Sequence, residues 1–324
     1  MSHEQFSRRD VLKIAGMTAV GMAGIEGVAL AHQASPAAAA KRVLRIAHLT
    51  DVHVQPERRA AEGWIACLHH VQSLNDKPQL ILTGGDSVFD SFEADDARAT
   101  LQWDLWSAAL KNENGIPVRS AIGNHDVWGG NKIKSKTTGE EPNYGKRRAI
   151  EMLHLSDRYY TFDQAGWRFI VLDSTQPDDA GGYAAFLDEP QFDWLSTTLR
   201  DTPATMPVLI LSHIPILTVT TLLWAKQEEK QFRIDASLMH ADCVKIKDLF
   251  AKYPNVKVCL SGHLHLIDRV DYNSVTYLCN GAVSANWWKG RHKDCDEGYG
   301  VMDLFDDGSF AHDYVKYGWQ AAPA

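Results

Sequence analysis

Apolar residues fall into short runs along the chain, and each run stops at a polar or glycine-rich loop. Residues 43–50 (VLRIAHLT) have the pattern of a strand and stop at Asp51. Residues 60–74 carry a helical stripe of Trp64, Ile65, Leu68 and Val71. Leu80-Ile81-Leu82 reads as a short buried strand closing on Thr83-Gly84-Gly85-Asp86. Residues 94–110 are helical again, with Leu101, Leu105, Trp106 and Ala109 apolar. Residues 117–122 form a strand that closes on Gly123-Asn124-His125-Asp126.

This alternation of strand and helix predicts an α/β sheet with helices on its faces. Polar residues collect where the strands end, and open α/β sheets bind ligands at the carboxyl ends of their strands. Residues 127–157 are charged and lack a clean period, which reads as an insertion or lid. Residues 159–162 and 167–172 form a hairpin around Gln164-Ala165-Gly166, and 190–199 form a helix with Pro190 in its first turn. A strand at 208–211 ends at Ser212-His213. A helix at 241–252 leads into a strand at 256–260, which ends at Ser261-Gly262-His263-Leu264-His265. The remainder alternates like antiparallel strand, with turns at Asp271-Tyr272-Asn273 and Asp306-Asp307-Gly308.

The first forty residues read as an address. Ser7-Arg8-Arg9-Asp10-Val11-Leu12-Lys13 resembles a twin-arginine export signal, an apolar run follows to Leu30, and Ala29-Leu30-Ala31 is a small-residue cleavage site. Glu26 interrupts the run, so it makes a poor membrane span. The expectation is a signal peptide and linker over 1–40, a single domain over 41–320, and a periplasmic or secreted protein that meets the twin-arginine export machinery. A formal net charge of −8 over 324 residues argues against a nucleic-acid-binding surface. The five cysteines do not form a disulfide framework in so long a chain; a Cys243–Cys295 or Cys259–Cys279 bridge stays open.

Metal-binding groups stand at five strand ends: Asp51 with His53, Asp86, Asn124 with His125, His213, and His263 with His265. Mixed histidine and carboxylate donors suit first-row transition metals better than calcium. In Asp51-Val52-His53 and His263-Leu264-His265, an extended backbone would project both polar side chains to one side. Each element alone is weak, because a Gly-Asp pair or a Gly-Asn-His-Asp stretch also makes a good turn. Five in order, each closing an apolar strand, are a strong joint signal. His48 reads as a neighbour of the site. His69, His70, His154, His240, His292 and His312 have no partner at ligand spacing and read as surface or satisfied residues.

That series resembles the signature of the calcineurin-like metallophosphoesterases, over roughly residues 43–270. The resemblance implies a four-layer α/β/β/α sandwich of two mixed β-sheets flanked by helices, with a dinuclear centre between the sheets. It implies that Asp51, His53, Asp86 and His265 hold one metal, and that Asp86 bridges to a second held by Asn124, His213 and His263. The metals would be manganese, iron or zinc. The reaction would be hydrolysis of phosphate esters by a hydroxide shared between the two metals. His125 matches the family's catalytic histidine, which is not a ligand. Asp126 would orient His125 or, equally, cap a following helix.

The resemblance also implies a small phosphorylated substrate. A phosphodiester is slightly favoured, since Asp-x-His with Gly-Asn-His-Asp resembles the cyclic-nucleotide phosphodiesterase branch. A phosphomonoester, or a non-catalytic binding role for the fold, is the alternative. Asn286-Trp287-Trp288-Lys289-Gly290-Arg291-His292 is a candidate substrate loop, with an indole stacking on a base and Lys289 or Arg291 near phosphate. Trp128 and the basic run Lys132 to Lys136 are second candidates.

Overall fold

The structure, a computed structural model, describes residues 40–228 and 230–321. The expected export signal and cleavage site lie outside these residues. Among the described residues, no helix is long and apolar enough to cross a membrane.

Two mixed sheets face each other. The first joins β1 (Arg42–Leu49), β2 (Leu80–Thr83) and β3 (Val118–Ser120) in parallel. It is extended by the antiparallel hairpin β14 (Gly298–Phe305) and β15 (Phe310–Lys316), in the order β15-β14-β1-β2-β3. The second runs β12-β13-β11-β8-β5-β4. In it β5 (Trp167–Leu172), β8 (Val208–Ser212), β11 (Val256–Ser261) and β13 (Val275–Cys279) are parallel. At its edges β4 (Tyr160–Gln164) and β12 (Asp268–Tyr272) run antiparallel. Two small antiparallel ladders interrupt the second sheet in sequence, β6 (Thr175–Pro177) with β7 (Tyr183–Ala185) and β9 (Lys226–Glu228) with β10 (Gln231–Arg233).

Period-two alternation builds the four layers. Leu44 and Ile46 of β1 meet Leu209 and Leu211 of β8 and Val258 and Leu260 of β11 in the core between the sheets. The alternate residues Ala47 and Leu49 point outward, under α1 (Ala60–Ser73) and α2 (Asp96–Glu113). There Trp64 stacks on Trp106 at 5.0 Å with 4° between the planes. On the opposite outer face, Val208 and Ile210 pack with Leu195, Leu199, Ile246 and Phe250 of two further helices, Glu189–Asp201 and Cys243–Phe250. The order is therefore α/β/β/α. Leu101 departs from expectation: it is 45% exposed, because the buried stripe of α2 runs through Ala99, Trp103, Trp106 and Ala109 instead. All five cysteines are free, so neither bridge left open by the sequence is formed.

Residues 127–157 hold two short helices, Lys132–Ser135 and Lys146–Met152. Trp128 in this segment is buried, donates its indole N–H to the Ala94 carbonyl at 3.2 Å, and lies beneath the Arg148 guanidinium at 3.9 Å. It is a packing residue rather than a substrate contact. Lys134 and Lys136 are likewise tied to Glu93 (2.7 Å) and Asp95 (3.1 Å).

Candidate metal centre

Every predicted donor sits just beyond the carboxyl end of a parallel strand: Asp51 and His53 after β1, Asp86 after β2, Asn124 after β3, His213 after β8, and His263 and His265 after β11. These strands belong to both sheets, so the sites meet along one edge of the sandwich.

The donors converge in three groups, each with ligand atoms within 4.8 Å of one another: Asp51, His53 and His265; Asp86, His213 and His263; and His53, Asp86 and His125. The Nε2 atoms of His53 and His265 face each other at 3.1 Å. His265 Nε2 is 3.3 Å from Asp51 Oδ1. Asp86 Oδ2 is 3.5 Å from His53 Nε2 and 3.2 Å from His213 Nε2, so its carboxylate stands between the first two groups. Asn124 Oδ1 lies 3.1 Å from His213 Nε2.

Backbone carbonyls set the ring orientations, an acceptor role that metal-binding histidines ordinarily require. Gly84 accepts from His213 Nδ1 at 2.8 Å, Ser237 from His263 Nε2 at 2.9 Å, and Ala285 from His265 Nδ1. His53 Nδ1 alone among these rings has no acceptor.

The local backbone corrects the extended geometry expected for the two x-spaced pairs. Asp51, His53, Asp86, His263 and His265 all have positive φ, between 49° and 70°. Such left-handed conformations cost non-glycine residues about 1–3 kcal/mol each and persist only where the surroundings over-determine them. Here they do. Asp51 and His53 donate to the carbonyls of Gly85 and Asp86 at 3.1 and 2.9 Å. The Asp51 carbonyl accepts Ser284 Oγ at 2.7 Å, and the His53 carbonyl accepts the Trp288 indole at 3.0 Å. The His263 amide donates to the Asp51 carboxylate at 2.9 Å. Glycine is required where the loops touch: a Cβ on Gly123 would collide with Asp86, and one on Gly262 with Thr50 and Asp51.

Charge is balanced within the cluster. Burial alone would raise the carboxyls of Asp51 and Asp86, but their histidine neighbours, His265 and His213 first, hold both below the usual range. Burial alone would lower His213, yet the charge and hydrogen bond of Asp86 hold it up at about 9. Burial and the neighbouring His213 push His263 down to about 3. Two buried carboxylates among five imidazoles, with two ring nitrogens in direct opposition, form a donor set that suits bound cations.

His125 is half-buried, with its ring 4.8 Å from that of His53 and its amide donating to Asp86 Oδ1 at 2.8 Å. Its Nδ1 has no partner. Asp126 fills neither role expected of it. Its carboxylate turns from His125 and accepts backbone N–H groups of Ser87 (2.8 Å), Val88 (3.3 Å) and Gly123 (2.9 Å), and the next helix, Lys132–Ser135, is capped by Asn131 instead. Three unpaired amides between the Asp86 and Asn124 loops draw the carboxylate there. The carboxylate grouped with the His125 ring is Asp86; Asp90, four residues further on, is held above its ordinary value chiefly by burial.

Of the proposed substrate loop, Trp287 reaches the centre. It is half-buried, 4.4 Å from the His265 ring and 5.8 Å from His53. Trp288 is buried in the core against Gly63 and Trp319, which removes it as a substrate contact. Lys289 is exposed. His292, read as a surface or satisfied residue, is instead buried with its ring 5.7 Å from His265. Burial first, then the charges of His265 and Lys293, lower it to about 4. Two further residues were missed. Tyr183 stands edge-on to His263 at 6.3 Å, its phenol raised by burial and then by Asp86. Ser284 clamps Asp51. Neither lies in a motif; only the fold brings them here. His48 is buried and bonded to Asn280 at 2.7 Å, behind the donors.

The profile of the calcineurin-like phosphoesterase family matches residues 44–266. A 3',5'-cyclic-nucleotide phosphodiesterase from Nostoc sp. is 27% identical over 253 residues, covering 74% of this chain and 77% of that protein. The 3',5'-cyclic adenosine monophosphate phosphodiesterase CpdA of Escherichia coli K12 is 26% identical over 245 residues, 74% of this chain and 75% of that one. Among solved structures, a dimetal phosphatase from Danio rerio superposes with a TM-score of 0.57 at 13% identity, covering 86% of this chain and all of the other.

Proposed function

This chain belongs to the calcineurin-like phosphoesterase family, and we propose that within it the protein is a two-metal phosphodiesterase whose preferred substrates carry a nucleoside, cyclic nucleotides among them. The observation that carries this reading is Asp86, whose carboxylate lies within 3.5 Å of histidines from both donor groups while Trp287 overhangs the first.

The donor set supports the family's assignment. Asp51, His53, Asp86 and His265 would hold one ion, and Asp86, Asn124, His213 and His263 the other, with manganese, iron and zinc all suited to the mixture. Bound there, two such ions would activate a water and neutralise charge on the phosphoryl oxygens. His125 would contact the phosphoryl group or protonate the leaving oxygen, its half-buried ring standing 4.8 Å from that of His53. Its backbone amide holds the Asp86 carboxylate, so the acid and the bridge are placed by one residue. Asp126 positions the two loops and takes no part in proton transfer. Trp287 offers a face to the leaving group. The names of the relatives point the same way, towards a cyclic phosphodiester.

The folded enzyme would be exported through the twin-arginine route, with Arg8 and Arg9 as the recognition pair. Unchanged periplasmic activity in a variant with both arginines replaced by lysine would defeat that part.

The test of function is a screen of the mature protein loaded with manganese, iron or zinc. Substrates are 3',5'-cyclic AMP, bis(p-nitrophenyl) phosphate and a panel of phosphomonoesters. Diesters should give the higher kcat/KM; faster hydrolysis of the monoesters would overturn the diester reading.

A further inference from the structure

His292 occupies a place no motif accounts for. One face of its ring stacks on Trp224, at 5.4 Å with 14° between the planes. Trp287 stands at right angles to it, 5.7 Å away at 84°. The ring of His265 lies at the same 5.7 Å distance. A tight turn fixes the backbone, with paired hydrogen bonds of 2.8 Å between His292 and Cys295. Lys293 Nζ sits 4.5 Å over the Trp224 ring and adds a cation–π contact to that indole. His292 is 7% exposed, and its Nε2 has no hydrogen-bond partner.

A buried, unpaired ring nitrogen is destabilising unless something supplies its partner. The ring does not belong to the metal cluster: none of the three donor groups includes it. What adjoins it is the indole of Trp287, half-exposed and leaning over His265. A flat aromatic wall and a polar ring atom thus meet beside the proposed centre.

We propose that Trp287 and His292, the latter braced by Trp224, form a subsite for the planar heterocyclic base of a nucleotide substrate. The indole stacks on the base, and His292 Nε2 hydrogen-bonds to its edge. This rests on the diesterase reading above and names the part of the substrate that the metals do not touch. A simple aryl ester could use the wall but not the ring nitrogen, and that difference is measurable.

The experiment uses the full mature chain loaded with manganese, the variants His292→Phe and Trp287→Ala, and metal analysis of each. Phenylalanine keeps a flat ring between Trp224 and Trp287 and removes only the nitrogens. The ratio of kcat/KM for 3',5'-cyclic AMP to that for bis(p-nitrophenyl) phosphate should fall about 5–10-fold in His292→Phe, through KM rather than kcat, as expected for one lost hydrogen bond. Trp287→Ala should weaken both substrates, since both stack. An unchanged ratio in His292→Phe overturns the proposal, whether activity is retained or lost equally on both substrates.

Tryptophan-fluorescence titration with AMP reads the same subsite without turnover. His292→Phe should bind AMP about 5–10-fold more weakly than the wild type. If the wild type cleaves bis(p-nitrophenyl) phosphate but no cyclic nucleotide, the functional reading fails. The subsite then stands on AMP binding that depends on His292, and falls if AMP does not bind or binds both proteins alike.

Discussion

The indole of Trp288 donates a hydrogen bond of 3.0 Å to the main-chain carbonyl of His53. The loop after β13 therefore holds the loop after β1 in its left-handed turn, and a core aromatic fixes a donor it never touches through its side chain. Trp288→Phe keeps most of the packing and leaves that carbonyl unpaired. Stability should fall by about 1–3 kcal/mol, seen as a lower urea midpoint, and metal affinity should fall with it. Wild-type values for both would mean that the His53 turn is held by other bonds.

Asp126 ties two loops through three backbone amides. Asp126→Ala should therefore act on assembly: a lower Tm and metal affinity reduced about 10–100-fold, the range for groups that support ligands from behind. At saturating metal, much of kcat should return. A variant with normal metal content and a collapsed kcat would restore Asp126 to the catalytic role that its carboxylate geometry argues against.

His125 and Asp86 separate chemistry from metal binding. His125→Ala should retain its metal and lose about 10²–10⁴-fold in kcat, the usual weight of a general acid. Asp86→Ala should lose metal as well, because the Asp86 carboxylate neighbours histidines of both donor groups. Metal analysis beside turnover distinguishes them, and a chelator should abolish wild-type activity reversibly. Metal loss in His125→Ala would make it a ligand.

In the metal-free protein, His213 is held up at about 9 by Asp86 against the pull of burial. A raised histidine stabilises the fold fully below its unfolded value of about 6.5, and that contribution is lost as pH climbs through about 9. A metal needs the neutral ring, so binding near pH 7.5 should expel about one proton from this residue. Apparent affinity should rise with pH until that point. Calorimetry in buffers of different ionisation enthalpy counts the proton, and His213→Asn should abolish its release. Equal proton counts for the two proteins would show that the proton comes from elsewhere.

Most of the strand positions and all seven candidate donors were legible because each parallel strand is an apolar run with a polar stop. Val208–Ser212 followed by His213, or Val256–Ser261 followed by Gly262-His263, needs no tertiary knowledge to find. The route by which Asp51 and His53 converge was not legible. Extended alternation would have aimed both to one side, but the backbone turns left-handed at each, and only the bonds from Gly85, Asp86, Ser284 and Trp288 explain why. Trp128, Trp288 and Asp126 were misread for a shared reason. An aromatic or a carboxylate beside a motif looks functional until its burial and its partners are known, and these three spend their polar atoms on backbone groups.

By itself, the sequence determined the strands, their polar ends and the candidate donor types, since hydrophobic periodicity and residue chemistry are local properties of a chain; the four layers followed only from the family resemblance. Only the tertiary structure decided which aromatic faces the centre, which packs behind it, and where the Asp126 carboxylate points. Those choices depend on segments as distant as Asp51 and Ser284, and no local pattern specifies which of them meet.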